Sequence, residues 1–131
     1  MIDLAIIIVN WNVRDLLAAC LRSVQADLAG SNLVAQIWVV DNNSSDGSAA
    51  MLRRDFPEIQ LIASDQNLGF AAGNNMALRA IGFTNSGQPV DSPSTISPET
   101  LPADVLLLNP DTELHAGALH SLVDFLRRTP R

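Results

Sequence analysis

The sequence of 131 residues is poor in cysteine and in basic side chains. A single cysteine, Cys20, excludes an internal disulfide and favours a reducing compartment, so a cytoplasmic location is expected. Eight basic and fourteen acidic residues give a net charge of −6, which argues against nucleic acid as a partner because phosphate backbones need a clustered basic surface. A single nucleotide is still compatible with this charge, since backbone amides and a metal ion can hold it.

The sequence offers no convincing membrane segment or signal peptide. The apolar run from Leu4 to Val9 is too short to span a bilayer. No basic segment and small-residue cleavage site accompany it. The run is therefore predicted to be a buried strand. Any contact with the inner face of a membrane is expected to be made by other parts of the protein or by its partners.

Several common catalytic and phosphate-binding signatures are also missing. A dinucleotide-binding fold would place glycines after the first strand, where the sequence reads Val9-Asn10-Trp11-Asn12-Val13. The glycine-containing stretch at 67–75 lacks the Gly-Lys-Ser/Thr of a P-loop. No Ser-His-Asp or Cys-His order and no Cys/His metal spacing stand out, and no catalytic residue is assigned.

Hydrophobic periodicity predicts alternating strands and helices. Continuous apolar segments predict strands at 4–9, 37–40, 59–63 and 105–108. Helical spacing follows each strand, and Asn12 and Gly30 are the expected start and end of the first helix. This alternation predicts a three-layer, Rossmann-like α/β domain with a mostly parallel sheet. Residues 82–102, rich in Pro, Ser and Thr, are predicted to form a mobile surface excursion.

Polar clusters follow three of the predicted strands: Asn10-Trp11-Asn12, Asp41 to Gly47, and Asn109-Pro110-Asp111. Ligands of parallel α/β sheets bind beyond the carboxyl ends of the strands, so these clusters are expected to converge on one edge.

Each polar cluster has a functional and a purely structural interpretation. Asp41 can accept hydrogen bonds from a base or ribose, or it can form a turn. Gly69 and Gly73 can bring a helix end close to a diphosphate, or they can allow a tight turn and close packing. Asp111 can hold Mg²⁺ or Mn²⁺ together with phosphate oxygens, or it can belong to a plain Asn-Pro turn. Asp46-Gly47 is predicted to be a turn and cap.

Four stretches, taken in order, resemble inverting family 2 glycosyltransferases, particularly the rhamnosyltransferase-like branch. They are Ile7 to Asn12, Val39 to Ser48, Asn67 to Asn75 and Leu106 to Asp111. The resemblance implies a GT-A fold and a nucleoside diphosphate sugar as donor.

Carried onto this sequence, the resemblance implies a set of binding residues. Those matching the nucleotide-sugar site are Asn10, Asp41, Asn43, Asn67, Gly69, Gly73, Asn74 and Asn109. Asp111 matches the metal-side carboxylate for a divalent cation, with Asn109 in place of the first Asp of Asp-x-Asp.

The branch also suggests dTDP-rhamnose or a UDP-sugar as donor and a glycan or lipid-linked acceptor. In the family the catalytic base lies in a later, acceptor-binding segment. Glu113 and Asp124 are the carboxylates that follow Asp111, and neither is well positioned to act as the catalytic base. Residues 1–131 are therefore expected to be the partial, donor-binding domain of a transferase, inactive alone. The alternative is a non-catalytic nucleotide-sugar-binding or interaction module.

Overall fold

Strands and helices alternate along the residues that the structure describes, 1–83 and 101–129. In this computed structural model the elements are β1 (Leu4–Asn10), α1 (Arg14–Ala29), β2 (Ala35–Asn42), α2 (Ser48–Asp55), β3 (Gln60–Ser64), α3 (Phe70–Ile81), β4 (Asp104–Leu108) and α4 (Ala118–Arg128). The four strands form a sheet in the order β3-β2-β1-β4, and every pair is parallel. The predicted α/β architecture is therefore confirmed.

Two apolar layers cover the sheet, one on each face. The first packs α1, α2 and α4 against alternate residues of β1, including Ile6 and Ile8. The second packs α3 against Ala5 and Ile7. Because β1 is central and covered on both sides, it needs an unbroken apolar run, which explains the sequence from Leu4 to Ile8.

The backbone pairing between β1 and β2 extends past their apolar residues to the polar residues at their carboxyl ends. Asn10 pairs with Asp41, and Asn42 pairs with Ser64 of β3. Strand β2 was predicted to end at residue 40, but it includes Asp41 and Asn42 because β1 still pairs with Asp41 and β3 pairs with both residues. Their side chains consequently alternate between the two faces of the sheet.

The prediction that Asn12 caps the start of α1 is wrong. The N-cap position is Val13, whose side chain cannot accept a hydrogen bond, and Asn12 lies outside the helix with φ 52°. The Asp46 carboxylate accepts from the Arg14 backbone amide at 2.8 Å instead, since the loop after β2 passes directly over this helix end. The end at Gly30 is confirmed, with its amide bonded to the Ala26 carbonyl.

Helix α1 anchors the segment that follows β4. The Ser23 hydroxyl accepts from the Leu114 amide at 3.0 Å. The buried Asp27 carboxylate accepts from the Gly117 and Leu119 amides at 2.6 and 2.8 Å, and so caps α4 from a distant part of the sequence. Residues 109–119 are thereby held at a defined position beside the sheet.

Residues 84–100, the greater part of the predicted excursion at 82–102, lie outside the described residues. Across the described ranges, every helix is too short or too polar to cross a bilayer.

Candidate functional site

A hydrogen-bonded network joins the ends of β1 and β2. The Asp41 carboxylate accepts from the Asn10 side-chain amide at 3.0 Å and from the Ser44 hydroxyl at 2.6 Å. It also accepts from the Ser44 backbone amide at 3.1 Å. Asn10 and Asp41 are both buried. Asp41 therefore fixes the loop after β2 as well as the position of Asn10.

A second set of contacts fastens the loop after β1 to the loop after β2. The Ser45 amide donates to the Asn12 side-chain oxygen at 2.7 Å, and the Asn12 amide donates to the Ser44 hydroxyl at 2.9 Å. Asp46 accepts from the Arg14 and Ser48 amides, which lie at the starts of α1 and α2. The prediction of a turn and cap at Asp46-Gly47 is confirmed.

These contacts also affect the ionisation of Asp46. Burial works to raise the pKa of its carboxyl group, but hydrogen bonds from the Ser48 hydroxyl and from the Arg14 and Ser48 amides outweigh burial. The pKa of Asp46 is therefore held below its usual value. The anion that caps both helices is the favoured form at neutral pH.

A cleft of about 350 Å³ opens at the carboxyl ends of the strands, where the polar clusters were predicted to converge. It is lined by Val9, Trp11, Asn42, Asn67, Gly69, Phe70, Leu108 and Asn109. Amide and apolar side chains make up this lining, and it includes no charged group from the described residues. Trp11 and Phe70 are 53% and 50% exposed, so the cleft has aromatic walls open to solvent.

The predicted binding residues divide into three groups. Asn67, Gly69 and Asn109 line the cleft. Asn10, Asp41, Gly73 and Asn74 are buried and outside its lining, and Asn43 is exposed in the left-handed region with φ 61°. Asp111 is exposed two residues beyond Asn109.

Asn42 is a cleft residue that the sequence-based prediction missed. It is 2% exposed, and its side-chain nitrogen donates to the Gly69 carbonyl at 3.0 Å. Ending β2 at residue 40 concealed it. If the strand had been extended by two residues, its alternation would have placed the Asn42 side chain on the face of the sheet that α3 covers, and the Asp41 side chain on the other face.

The start of α3 depends on two glycines. Gly69 has φ 90° and ψ 177°, a conformation that is essentially restricted to glycine, and its amide is held by the Asn67 side-chain oxygen at 3.0 Å. A Cβ atom added at Gly73 would lie 2.8 Å from Cγ1 of Val9. Gly73 therefore allows close packing of α3 on β1, while Gly69 sets the turn at the edge of the cleft.

Three buried asparagine oxygens have no hydrogen-bond partner among the described residues. They are the side-chain oxygens of Asn10, Asn42 and Asn74. An unpartnered buried acceptor costs about 1–3 kcal/mol, so each is a place where a ligand donor would be favoured. Of the three residues, Asn42 lines the cleft.

The segment around Asp111 forms a turn with an exposed carboxylate and no complete metal site among the described residues. The Thr112 amide closes a turn on the Asn109 carbonyl at 3.1 Å. In residues 1–83 and 101–129, no three His, Cys, Asp or Glu side chains come together as a metal site, and His115 and His120 are exposed. A single Asp suits a cation whose remaining ligands are phosphate oxygens and water, so Asp111 fits a Mg²⁺ or Mn²⁺ bound with a diphosphate.

The pKa of the Cys20 thiol is affected by the carboxylates of the segment that contains Asp111. Burial, together with the smaller effect of the nearby Asp111 and Glu113 carboxylates, raises the pKa of Cys20 to about 11. The sulfur lies 3.7 Å from the Asn109 carbonyl oxygen. Cys20 is thus a buried core residue beneath the segment that carries Asp111.

A larger cavity of about 520 Å³ lies at the opposite edge of the sheet, where β2 and β3 begin. It is lined by Gln25, Leu28, Ala29, Ala35, Gln36, Ile37, Glu58, Ile59 and Gln60. None of these matches a predicted site residue, so size alone does not identify the functional cleft.

Residues 5–82 match the model of glycosyl transferase family 2, which is more than half of the chain. The matched range includes Asn10, Asn42 and Gly69 and ends before Asn109. The chain is also 26% identical over 98 residues to an N-acetylglucosaminyl-diphospho-decaprenol L-rhamnosyltransferase of Mycobacterium tuberculosis. That match covers 72% of this chain and 28% of the relative.

Solved structures give the same fold. TarS of S. aureus, residues 1–349, superposes with a TM-score of 0.67 at 16% identity over 96% of this chain and 32% of that one. The mannosyltransferase PcManGT of Pyrobaculum calidifontis, in complex with GDP-Man and Mn²⁺, has a TM-score of 0.67 at 20% identity over 97% and 32% of the two chains. The fold is thus the GT-A type, and the chain spans about a third of the length of these proteins. By its match over residues 5–82, it belongs to glycosyl transferase family 2.

Proposed function

We propose that this chain is the donor-binding part of an inverting glycosyltransferase, which transfers a sugar from a nucleoside diphosphate sugar to an acceptor hydroxyl. The observation that carries the proposal is the cleft at the carboxyl edge of the sheet. Residues from four separate motifs line it, and their order along the chain is that of the family. TarS has been solved with UDP and with UDP-GlcNAc, which supports the same class of ligand here.

The base of the nucleotide binds at Asn42 and Trp11 in this proposal. The Asn42 nitrogen donates to the Gly69 carbonyl, so its oxygen is left as an acceptor for an N–H of the base. The half-exposed ring of Trp11 supplies a surface on which a base can stack. Asn10 and Asp41 support this arrangement from below by fixing the ends of β1 and β2.

The diphosphate binds between the start of α3 and the segment from Asn109 to Asp111. Backbone amides of the first turn of α3 favour an anion at that position. The lining has no charged side chain from the described residues to offset the phosphate charge. A divalent cation held by Asp111 would stabilise the charge that develops on the leaving diphosphate.

The proposed donor is a dTDP- or UDP-sugar, such as dTDP-rhamnose, and the proposed acceptor is a glycan or a lipid-linked sugar. The name of the Mycobacterium tuberculosis relative specifies L-rhamnosyl transfer to a lipid-linked N-acetylglucosamine, which supports this class of reaction. A role in the synthesis of cell-wall or other polysaccharides follows from such a reaction.

Inversion requires a base that activates the acceptor hydroxyl from the face of the sugar opposite the leaving group. Asp124 is paired with Arg128 at 2.8 Å on α4, and Glu113 follows the turn at Asp111 too closely. Neither is suited to this role. We therefore assign the base and the acceptor site to polypeptide outside the described residues.

A calorimetric titration with dTDP or UDP in the presence of Mn²⁺ tests the binding site. Asn42→Ala removes the acceptor for the base and should lower the affinity about tenfold, as expected for one hydrogen bond to a buried group. Asn32→Ala is the matched control, since Asn32 is an exposed asparagine in the connection between α1 and β2. The proposal fails if the wild type binds neither nucleotide.

The metal position is tested separately with Asp111→Asn. Mn²⁺ binding is measured for both proteins with and without the nucleoside diphosphate. The wild type should gain Mn²⁺ affinity when the diphosphate completes the coordination shell, and the variant should lose most of that gain. An equal gain in both proteins would assign the metal to the free diphosphate and Asp111 to a turn.

A further inference from the structure

The cleft has a polar acceptor at its buried end and aromatic side chains at its rim. Asn42 is 2% exposed, whereas Trp11 and Phe70 are about half exposed. Phe70 directly follows Gly69, whose carbonyl holds the Asn42 side-chain nitrogen. Phe70 is therefore tied to the same turn that fixes the orientation of Asn42.

Asn42 and Trp11 do not distinguish thymine from uracil. Both bases carry the ring N–H that suits the Asn42 oxygen, and both offer the same face for stacking on Trp11. They differ in the methyl group at C5 of thymine, which lies beyond the C4 carbonyl, two ring positions from N3, and points away from that N–H. A base bound with its N–H on Asn42 therefore directs C5 away from the buried end of the cleft, towards the rim.

We propose that Phe70 makes the donor site selective for thymidine over uridine nucleotides by covering the 5-methyl group. The inference rests on the proposed function, because it presupposes a nucleotide bound through Asn42. An exposed phenylalanine ring gains from this contact, since both the ring and the methyl lose apolar surface to water. Burial of one methyl group corresponds to a roughly threefold to fivefold gain in affinity.

The test uses dTDP and dUDP, which differ by this methyl group alone. Each is titrated into the 131-residue chain with Mn²⁺ present, and the ratio of the two dissociation constants is the readout. The wild type should bind dTDP about threefold to fivefold more tightly, and Phe70→Ala should bring the ratio close to one. Phe125→Ala, a change at a phenylalanine that is 60% exposed on α4, should leave the ratio unchanged.

Two results would overturn the inference while leaving the proposed function intact. One is equal binding of dTDP and dUDP by the wild type. The other is a preference for dTDP that survives Phe70→Ala. Binding of neither nucleotide would overturn the proposed function, and this inference with it.

Discussion

At the scale of single residues, Asp41 and Asn42 are sequence neighbours with different tasks. Asp41 points to one face of the sheet and is occupied by Asn10 and Ser44. Asn42 points to the other face, where its nitrogen is occupied by Gly69 and its oxygen has no partner among the described residues. We infer that Asp41 positions the site and that Asn42 contacts the ligand.

Asp41→Ala should therefore lower the stability of the fold as well as nucleotide affinity. It leaves the buried Asn10 amide without its carboxylate acceptor, which should lower the free energy of unfolding by about 1–3 kcal/mol. Urea denaturation followed by circular dichroism measures this change. Asp65→Ala, at an exposed position after β3, is the control and should change stability by less than about 0.5 kcal/mol. Equal midpoints for the two variants would contradict a positioning role for Asp41.

At the scale of elements, the fit between α3 and β1 sets the edge of the cleft. A Cβ at residue 73 would meet both γ-carbons of Val9, at 2.8 and 3.0 Å. These atoms belong to β1, whose backbone is paired with β2 at Val9 and with β4 up to Ile8, so β1 cannot shift easily. Any side chain at residue 73 must therefore move α3 or distort Val9.

Gly73→Ala should destabilise the chain by about 1–3 kcal/mol through this overpacking. Val9→Ala removes the γ-carbons that the new methyl would meet, so the cost of Gly73→Ala should be much smaller in that background. A double-mutant cycle in urea measures the coupling between the two sites. Additive effects would show that the contact with Val9 does not limit residue 73.

The junction of α1 with α4 gives a second prediction at this scale. Asp27→Ala leaves the Gly117 and Leu119 amides without their acceptor, and should lower the free energy of unfolding by about 1–3 kcal/mol. Asp124→Ala breaks only the exposed pair with Arg128, which is worth at most about 1 kcal/mol. The two variants are compared by urea denaturation. A loss no larger for Asp27→Ala than for Asp124→Ala would contradict the capping role.

These elements also show what the sequence can and cannot predict. The four strands and four helices follow from hydrophobic periodicity, which depends on each segment alone. The cap of α4 by Asp27 and the cap of α1 by Asp46 join residues 92 and 32 positions apart, so no local pattern reveals them. The convergence of the polar clusters was predictable from parallel topology. The unpartnered oxygen of Asn42 was not, since it depends on where β2 ends and how α3 packs.

At the scale of the whole molecule, the described residues form the cleft that we propose for the donor, and none of them is assigned to the acceptor. It spans 28% of the length of its Mycobacterium tuberculosis relative and 32% of TarS residues 1–349. The lining residues of the cleft come from the ends of β1, β2 and β4 and from the turn before α3. We assign the base and acceptor contacts to other polypeptide, so binding and transfer should be separable properties.

The 131-residue chain should accordingly bind a nucleoside diphosphate but transfer no measurable sugar from the donor to an acceptor. General-base catalysis contributes about 10²–10⁴-fold to such a reaction, and loss of acceptor positioning lowers the rate further. Transfer is measured by mass spectrometry of a saccharide acceptor incubated with dTDP-rhamnose or a UDP-sugar and Mn²⁺. Nucleotide binding by the same sample, measured by calorimetry, is the control that the cleft is intact. Efficient transfer by this chain would show that a carboxylate within these 131 residues or a second copy of the chain supplies the base. If transfer occurs, carboxylate-to-amide variants such as Glu113→Gln and Asp124→Asn test individual side chains, and a second-order dependence of the rate on protein concentration identifies the second copy.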